Sequence, residues 1–461
     1  MDGQTARRPD GRHLLAAVLL ALLPTVGCTS GGDRIIALEG ATLIDGAGGA
    51  PKQDAVIIIR NGHIEAIARV NEIQIPKSAE RINLVGKTVI PGLIDAHAHV
   101  ERWAASRYLV WGVTTVRDLG AESTDSLLAL KNDVNLGSIL GPRMFTAGSM
   151  IDGARATYPS ATGVATGDQA RRAVDQRAVA GVDHIKIYTK ITAGLLRPLM
   201  DEAVTLRLPV AAHLGKMDAL TAARAGVGSI EHMAGVVQAA SPNPALYLGA
   251  HDNFLAGWTT EEKGWANLDS GAVARTARAL AQTKVAIVPT LVVHEMLSRL
   301  DNPILRTRPG MEDVPDNAQS VRSVPSLLRR TGWRTGDFEA FRRSRRRQDQ
   351  FVREYKRAGG PIAAGSDAAN QLLIPGYSLH EEMALLVEAG LTPLEAITAA
   401  TRRGAQLLRA DSLGLLTPGK VADLVVLNGN PVRNILATRN IAWIMMRGRM
   451  IRPDSLRARW K

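Results

Sequence analysis

A histidine pair, His97-Ala98-His99, ends the apolar run Val89-Ile90-Pro91-Gly92-Leu93-Ile94-Asp95-Ala96, and this placement constrains the fold more than any other feature. Residues two apart on a strand face the same side, so the pair can grip one ion from a single strand. Taken alone, such a pair serves equally well as two packed or hydrogen-bonded core histidines. Four further short apolar runs, however, carry side chains of metal-binding type at their ends. Lys186 stands in Asp183-His184-Ile185-Lys186-Ile187-Tyr188, and His213 closes Val210-Ala211-Ala212. His232 closes Ser229-Ile230-Glu231, and Asp367 closes Ala363-Ala364-Gly365-Ser366. Such runs are the pattern of strands buried on both faces. Ligand types gathered at the C-terminal ends of parallel strands are the layout of a (β/α)8 barrel.

Helical periods alternate with these runs. Leu195 to Arg207, Ala219 to Ala225 and Ala272 to Gln282 repeat apolar residues at helix spacing, as βα units require. Thr392-Pro393-Leu394-Glu395 is a capping box with proline at the first helical position. Residues 233–270 and 302–336 show little periodicity and read as loops over the barrel mouth, shaping the substrate pocket or merely decorating its rim. His251 and His294 fall in loop regions and are expected to face solvent. At the N-terminal side, Arg34 to Leu38, Ala55 to Ile59 and His63 to Ile67 read as strands, with Asn61-Gly62 as a hairpin turn. The same texture returns in Ala422 to Leu427 and Ile441 to Met446, with a turn at Arg447-Gly448-Arg449. The expected fold class is therefore α/β: a (β/α)8 TIM barrel over 91–411, with a small β-sandwich built from both chain ends, 34–90 and 412–455.

In their order along the chain, His97, His99, Lys186, His213, His232 and Asp367 resemble the metal ligands of the amidohydrolase superfamily. The similarity points to its imidazolonepropionase-like branch, which includes the metal-dependent dipeptidases called prolidases. Gly112 to Asp118, Ser378 to Glu382 and Thr417 to Val425 share the resemblance, which covers nearly all of the chain after its leader. It implies the same barrel-plus-sandwich arrangement and two divalent metal ions, zinc by default. His97, His99 and Asp367 would hold one ion, and His213 and His232 the other.

Lysine is the odd member, because an ammonium group cannot bind a cation. Burial beside a metal lowers its pKa from about 10.4, and the neutral amine can then add carbon dioxide. The resemblance implies that fate for Lys186: a carbamate bridging both ions. Strand phase agrees, since His184, Lys186 and Tyr188 share one face, that of the barrel interior. His184 is expected one layer below the metals. Tyr188 and Arg117 are expected nearer the mouth, as candidates for contacting a substrate carboxylate. His380 and Glu382 are expected to orient or cap the following helix.

The function this implies is hydrolysis of an amide C–N bond, in dipeptides (prolidase-like) or N-acyl amino acids, by a metal-bridged hydroxide. Asp367 would take the proton and pass it to the leaving nitrogen. Deaminases and imidazolonepropionases of the superfamily place a Glu three residues after the histidine that corresponds to His213. Leu214, Gly215 and Lys216 follow here, which argues against deamination. A cyclic-amide hydrolase of hydantoinase or imidazolonepropionase type stays as the alternative. A non-catalytic barrel that has lost its ligands is disfavoured, because all six are present.

Composition fits an enzyme of this kind. The 461 residues are 46% hydrophobic, enough for a large core, and only 4% aromatic, so Leu, Val, Ile and Ala must fill it. A net charge of +12 raises the question of nucleic acid, but no zinc-finger spacing, helix-turn-helix or aromatic-interleaved strand set accompanies it. Much of the excess lies between Arg342 and Arg357, where eight basic residues face only Asp349 and Glu354. Phe341, Phe351, Val352 and Tyr355 give that segment a helix with a narrow apolar stripe and a solvated basic face. That face also suits an anionic lipid surface or an acidic ligand. The expected partner is a small amide or dipeptide, with self-association into a homo-oligomer left open.

The leader carries its own signal. Arg7, Arg8 and Arg12 precede an apolar run from Leu14 to Leu23, too short to span a bilayer and typical of a secretory segment. Cys28, the only cysteine, follows Gly27 at the cleavage position, which resembles a bacterial lipoprotein signal. A 1–27 signal peptide, lipidation of Cys28 and export to the periplasm or a membrane anchor are expected. An ordinary cleaved signal with a chance cysteine is the alternative. No intrachain disulfide can form either way.

Overall fold

The computed structural model describes residues 33–460. The signal segment 1–27 and Cys28 therefore lie outside the described residues. Among the described residues no helix is long and apolar enough to cross a membrane.

Both chain ends meet in one eight-stranded mixed sheet. Ile35–Leu43 pairs antiparallel with Lys52–Arg60, which turns back into His63–Arg69. The turn is Asn61-Gly62, with φ of 49° and 80°, a two-residue connection needing left-handed backbone at both positions. On the other side of Ile35–Leu43 lies Thr88–Pro91, followed by the C-terminal strands Leu424–Leu427, Ile441–Met446 and Arg449–Ile451. Leu424 pairs with Pro91 across more than three hundred residues of sequence, so the two ends are held by a ladder rather than by loops. Alternate residues of this sheet, among them Leu38, Leu43, Ile57, Ile59, Leu424, Val426 and Met445, form a sealed apolar layer.

Between the two ends the chain is α/β, with parallel sheets. Leu93–Ala98, Val113–Asp118 and Arg143–Thr146 form a three-stranded sheet. Thr162–Val164, Ile151–Gly153, Ile185–Ile187, Val210–Ala212, Ser229–Glu231 and Ala286–Val288 form a six-stranded one. Backbone bonds tie these sheets together. Asp183 N–H donates to Thr146 O at 2.9 Å, linking the third strand of one sheet to the other. At the far side, Ile287 bridges Ile362 and Ala98 bridges Ala368, both in parallel sense. Helices such as Gly167–Ala180, Ala193–Thr205, Ala219–Arg224 and Ser270–Thr283 connect successive strands. Thr392 and Glu395 do form the reciprocal capping box that opens the Pro393–Thr398 helix.

The stretch 233–270 is not a set of loops. It folds into the helices Val236–Ala240, Pro244–Ala250 and Phe254–Asn267. The helix period is masked because the longest of them buries charge: Glu261 and Glu262 are sealed in pairs with His251 and His294. Both histidines are therefore buried, contrary to the expected exposure. Residues 302–336 fold into short turns of helix, Pro303–Thr307, Met311–Asp313, Gln319–Arg322 and Val324–Thr331. The basic segment is one helix, Thr335–Arg357, that buries Phe338, Phe341, Phe351, Val352 and Tyr355 as its stripe predicts.

Candidate metal centre and active site

All six predicted ligand residues lie at one end of the parallel strands. His97 sits in Leu93–Ala98, with His99 one residue beyond its end, and Lys186 is in Ile185–Ile187. His213 and His232 each directly follow a strand, Val210–Ala212 and Ser229–Glu231. His232 and Asp367 both adopt a left-handed φ of 58°, and Thr290, which holds His232, one of 46°. Such backbone costs a non-glycine residue on the order of 1–3 kcal/mol, which the surrounding structure must offset. It turns these side chains inward at the strand ends.

Asp367 is the hub. Its Oδ1 lies 3.1 Å from Nε2 of both His97 and His99. Asn370 holds the other carboxylate oxygen at 3.0 Å. One ligand atom from each of His97, His99 and Asp367 lies within 4.8 Å of the others. His97 stacks toward His232 at 4.5 Å between ring centroids, and His232 toward His213 at 4.6 Å. Four imidazoles thus surround the hub.

The unused nitrogens make the donor set fit a cation. Each of three histidines has its Nδ1 engaged: His97 by Glu231 at 2.8 Å, His99 by Gly120 O at 2.9 Å, His232 by Thr290 Oγ1 at 2.7 Å. That leaves the Nε2 atoms to face the centre, the arrangement by which outer partners orient metal-ligating histidines. His97 Nε2 is buried and, despite its closeness to Asp367, makes no hydrogen bond of acceptable geometry. Burial holds the imidazoles of His213 and His232 well below their ordinary pKa, so both are neutral, as a ligand must be. Burial alone would raise the pKa of Asp367, but His232, His97 and His99 reverse this and hold its carboxyl well below the usual range.

Lys186 is 2% exposed, and its amine makes no hydrogen bond or ion pair among the described residues. Burial pushes its amine down to about 8, with Glu231 and Asp367 opposing the shift. A buried, unpaired lysine is costly to keep charged and is rare without a task.

Residues 88–451 match the family model described as the amidohydrolase family. The chain belongs to the amidohydrolase family. It is accordingly a hydrolase acting on carbon–nitrogen bonds. It is 24% identical over 414 residues to an imidazolonepropionase of Deinococcus radiodurans, covering 84% of this chain and 88% of that one. An imidazolonepropionase of Pyrobaculum arsenaticum is 40% identical, but over 75 residues only, 16% of this chain and 19% of the relative. That match spans about a fifth of the relative's length. Among solved structures, a candidate prolidase from Bifidobacterium longum is similar with a TM-score of 0.67 at 26% identity, covering 92% of this chain and 98% of that one. A Xaa-Pro dipeptidase with bound methionine is similar in fold, with a TM-score of 0.67 at 22% identity over 91% and 100% of the two chains.

In this amidohydrolase Tyr188 is buried beside the ligand cluster at 7% exposure, its ring edge-on to His213 at 4.8 Å. Arg117 is not at the mouth. It is 3% exposed, and its guanidinium donates inward to Ala96 O, Ser229 Oγ and Glu231 Oε1. The Val113–Asp118 strand points it into the interior beneath His97, where a buried cation must find an internal carboxylate, so it is not available to a substrate. His184 lies in the interior as expected, its Nε2 3.0 Å from Asp118 O. Neither His380 nor Glu382 caps the helix after its own. His380 bonds Thr438 Oγ1 and Trp111 O, while Glu382 accepts from Val292 N–H at the start of the Leu291–Ser298 helix.

Glu231, Asp118 and Asp95 carry functional weight that the ligand pattern does not mark. Asp118 accepts from Val100 N–H and Gly120 N–H, holding the backbone that flanks His99. Asp95 accepts from Ser366 N–H at 2.9 Å and so joins the two segments that bear His97 and Asp367. The signal available was that each acid interrupts an apolar strand run, and a strand acid with no water must be paired.

Proposed function

We propose that this protein hydrolyses the amide bond of a dipeptide or an N-acyl amino acid at a centre of two divalent ions, most simply zinc. The observation that carries this is Lys186, an unpaired amine buried close to Asp367, His213 and His232. In this reading His97, His99 and Asp367 would hold one ion and His213 and His232 the other, and Lys186, carboxylated by carbon dioxide, would supply a further anionic ligand. The parallel sheets form one closed (β/α)8 barrel over 91–411, and the terminal sheet belongs to a small β-sandwich of residues 34–90 and 412–455. Export as a lipoprotein through Cys28 belongs to the same proposal.

A bound divalent ion supplies Lewis acidity, polarising the amide carbonyl and acidifying water. The chain's residues do the rest. Asp367 would accept a proton from the attacking water and deliver it to the leaving nitrogen. Glu231 and Thr290 keep His97 and His232 in the tautomer whose Nε2 is free of hydrogen. Tyr188 borders the space a substrate must enter.

A second reading is favoured by the long match to an imidazolonepropionase: opening of a cyclic amide. Zinc-loaded protein assayed against dipeptides, N-acyl amino acids, dihydropyrimidines and imidazolone propionate separates the two. Cleavage confined to the cyclic substrates would overturn the dipeptidase reading.

A further inference from the structure

Resting on the amide-hydrolase reading, we propose that Tyr158, Tyr188, Phe254 and Trp258 form a substrate subsite for an aromatic or bulky apolar group beside the scissile bond. Aromatic residues are only 4% of the chain, yet these form an unbroken file that begins on a histidine of the ligand set. Phe254 lies 6.2 Å from the His213 ring, close to Tyr188, which meets the same imidazole. Tyr158, Tyr188 and Phe254 close a triangle, with centroid separations of 5.6, 5.7 and 6.0 Å. Trp258 stacks behind Phe254 at 5.5 Å and 26°.

Local structure explains why these rings are held there. Asn253 caps the Phe254–Asn267 helix by accepting from Ala256 N–H at 3.0 Å, so Phe254 is its first residue. Trp258 follows four residues later, on the same helix face. The helix is pinned from beneath: Gly257 rests on the His251 ring, where an added Cβ would come within 2.5 Å, and His251 pairs with Glu261 of the same helix. On its outer side Trp258 leans on Trp333, whose indole N–H donates to Thr259 and whose ring packs against Phe338 and Phe341. The two insertions thus build and buttress one wall.

A packing role alone would seal these rings. Tyr188 is sealed at the base of the file, but Tyr158 is 37% exposed, and Phe254 and Trp258 are only half-buried. The lysines that follow Tyr188 and His213 are occupied, Lys190 by Arg155 O and Lys216 by Asp252. What the wall presents beside the ligand cluster is ring surface, which gains most from another ring or a large apolar group.

The test uses full-length, zinc-loaded protein in two arms. In the first, L-phenylalaninol and L-alaninol, which contain no amide, are titrated calorimetrically; the aromatic probe should bind about tenfold more tightly. In the second, kcat/KM is compared within the pairs Gly-Phe and Gly-Ala, and Phe-Gly and Ala-Gly; the ring-bearing member of at least one pair should lead by about tenfold. Phe254→Ala should collapse the preference in both arms. Phe254→Leu, which keeps apolar bulk and guards against loss of fold, should fall between. Equal binding of the two alcohols, or a preference unchanged in Phe254→Ala, overturns the subsite. Ring-selective binding without cleavage of any dipeptide or N-acyl amino acid keeps the subsite and rejects the amide reading. Cleavage without ring preference rejects the subsite alone.

Discussion

Glu231 Oε2 and His97 Nδ1 meet at 2.8 Å with both side chains sealed from solvent. The other oxygen of Glu231 accepts from Arg117 at 2.8 Å, and together with His97 this holds the carboxyl well below its ordinary range although burial alone would raise it. An ionised carboxylate can only accept, so His97 Nδ1 carries a proton and Nε2 is the nitrogen turned to the centre. Orientation of a ligand by such a partner is worth roughly 10–100-fold in metal affinity. Glu231→Gln should therefore weaken metal binding by about that factor, read as zinc retained per chain during competition with a chelator. Unchanged retention would remove Glu231 from this role.

Lys186→Ala removes the amine that the proposal, once it is carboxylated, uses as a further anionic ligand. Zinc per chain, measured by elemental analysis, should fall from close to two, and most activity should go with it. Full activity in Lys186→Ala would favour a mononuclear centre.

Asp367→Asn keeps size and hydrogen-bonding reach but has no basic oxygen. Turnover should drop by roughly a hundredfold or more, while the circular dichroism spectrum and melting temperature persist. Wild-type turnover across neutral pH would place the base elsewhere.

Glu382 gives a pH prediction at a buried acid that is not itself a ligand. Burial raises its carboxyl from 4.5 to about 7, while the N–H groups of Val292 and Leu291 favour the ionised form. The folded state thus binds the proton more tightly than the unfolded chain. Stability from this group is full below about pH 4.5, falls as pH rises towards 7, and is flat above; the loss is about 3 kcal/mol. Glu382→Gln can still accept from Val292 and does not titrate. Its stability relative to wild type should rise between pH 5 and pH 8, measured by denaturant melts at each pH. A constant difference would contradict the assignment.

Lipidation of Cys28 predicts a mature chain that begins at this residue, carries acyl mass and partitions with membranes. Mass spectrometry of the mature N-terminus decides it, and an unmodified soluble terminus would reject the anchor but leave the hydrolase reading untouched.

Much of this was legible along the chain because strand and turn chemistry are local. The run before His97 buries on both faces whatever surrounds it, the Asn61-Gly62 turn requires left-handed backbone wherever it occurs, and Thr392 with Glu395 caps a helix from four consecutive residues. The same locality put Lys186 in phase with His184 and Tyr188. What only the tertiary structure decided is who faces whom across the parallel sheets. Arg117 and Glu231 are 114 residues apart in sequence and meet at 2.8 Å, which turns a candidate substrate contact into a buried support. The helix bearing Glu261 and Glu262 hid from its own hydrophobic pattern because the acids it buries are paired with His251 and His294, from outside that helix. Periodicity registers burial of apolar groups; it cannot register a buried charge whose partner comes from another part of the chain, and that pairing is where the architecture of this site resides.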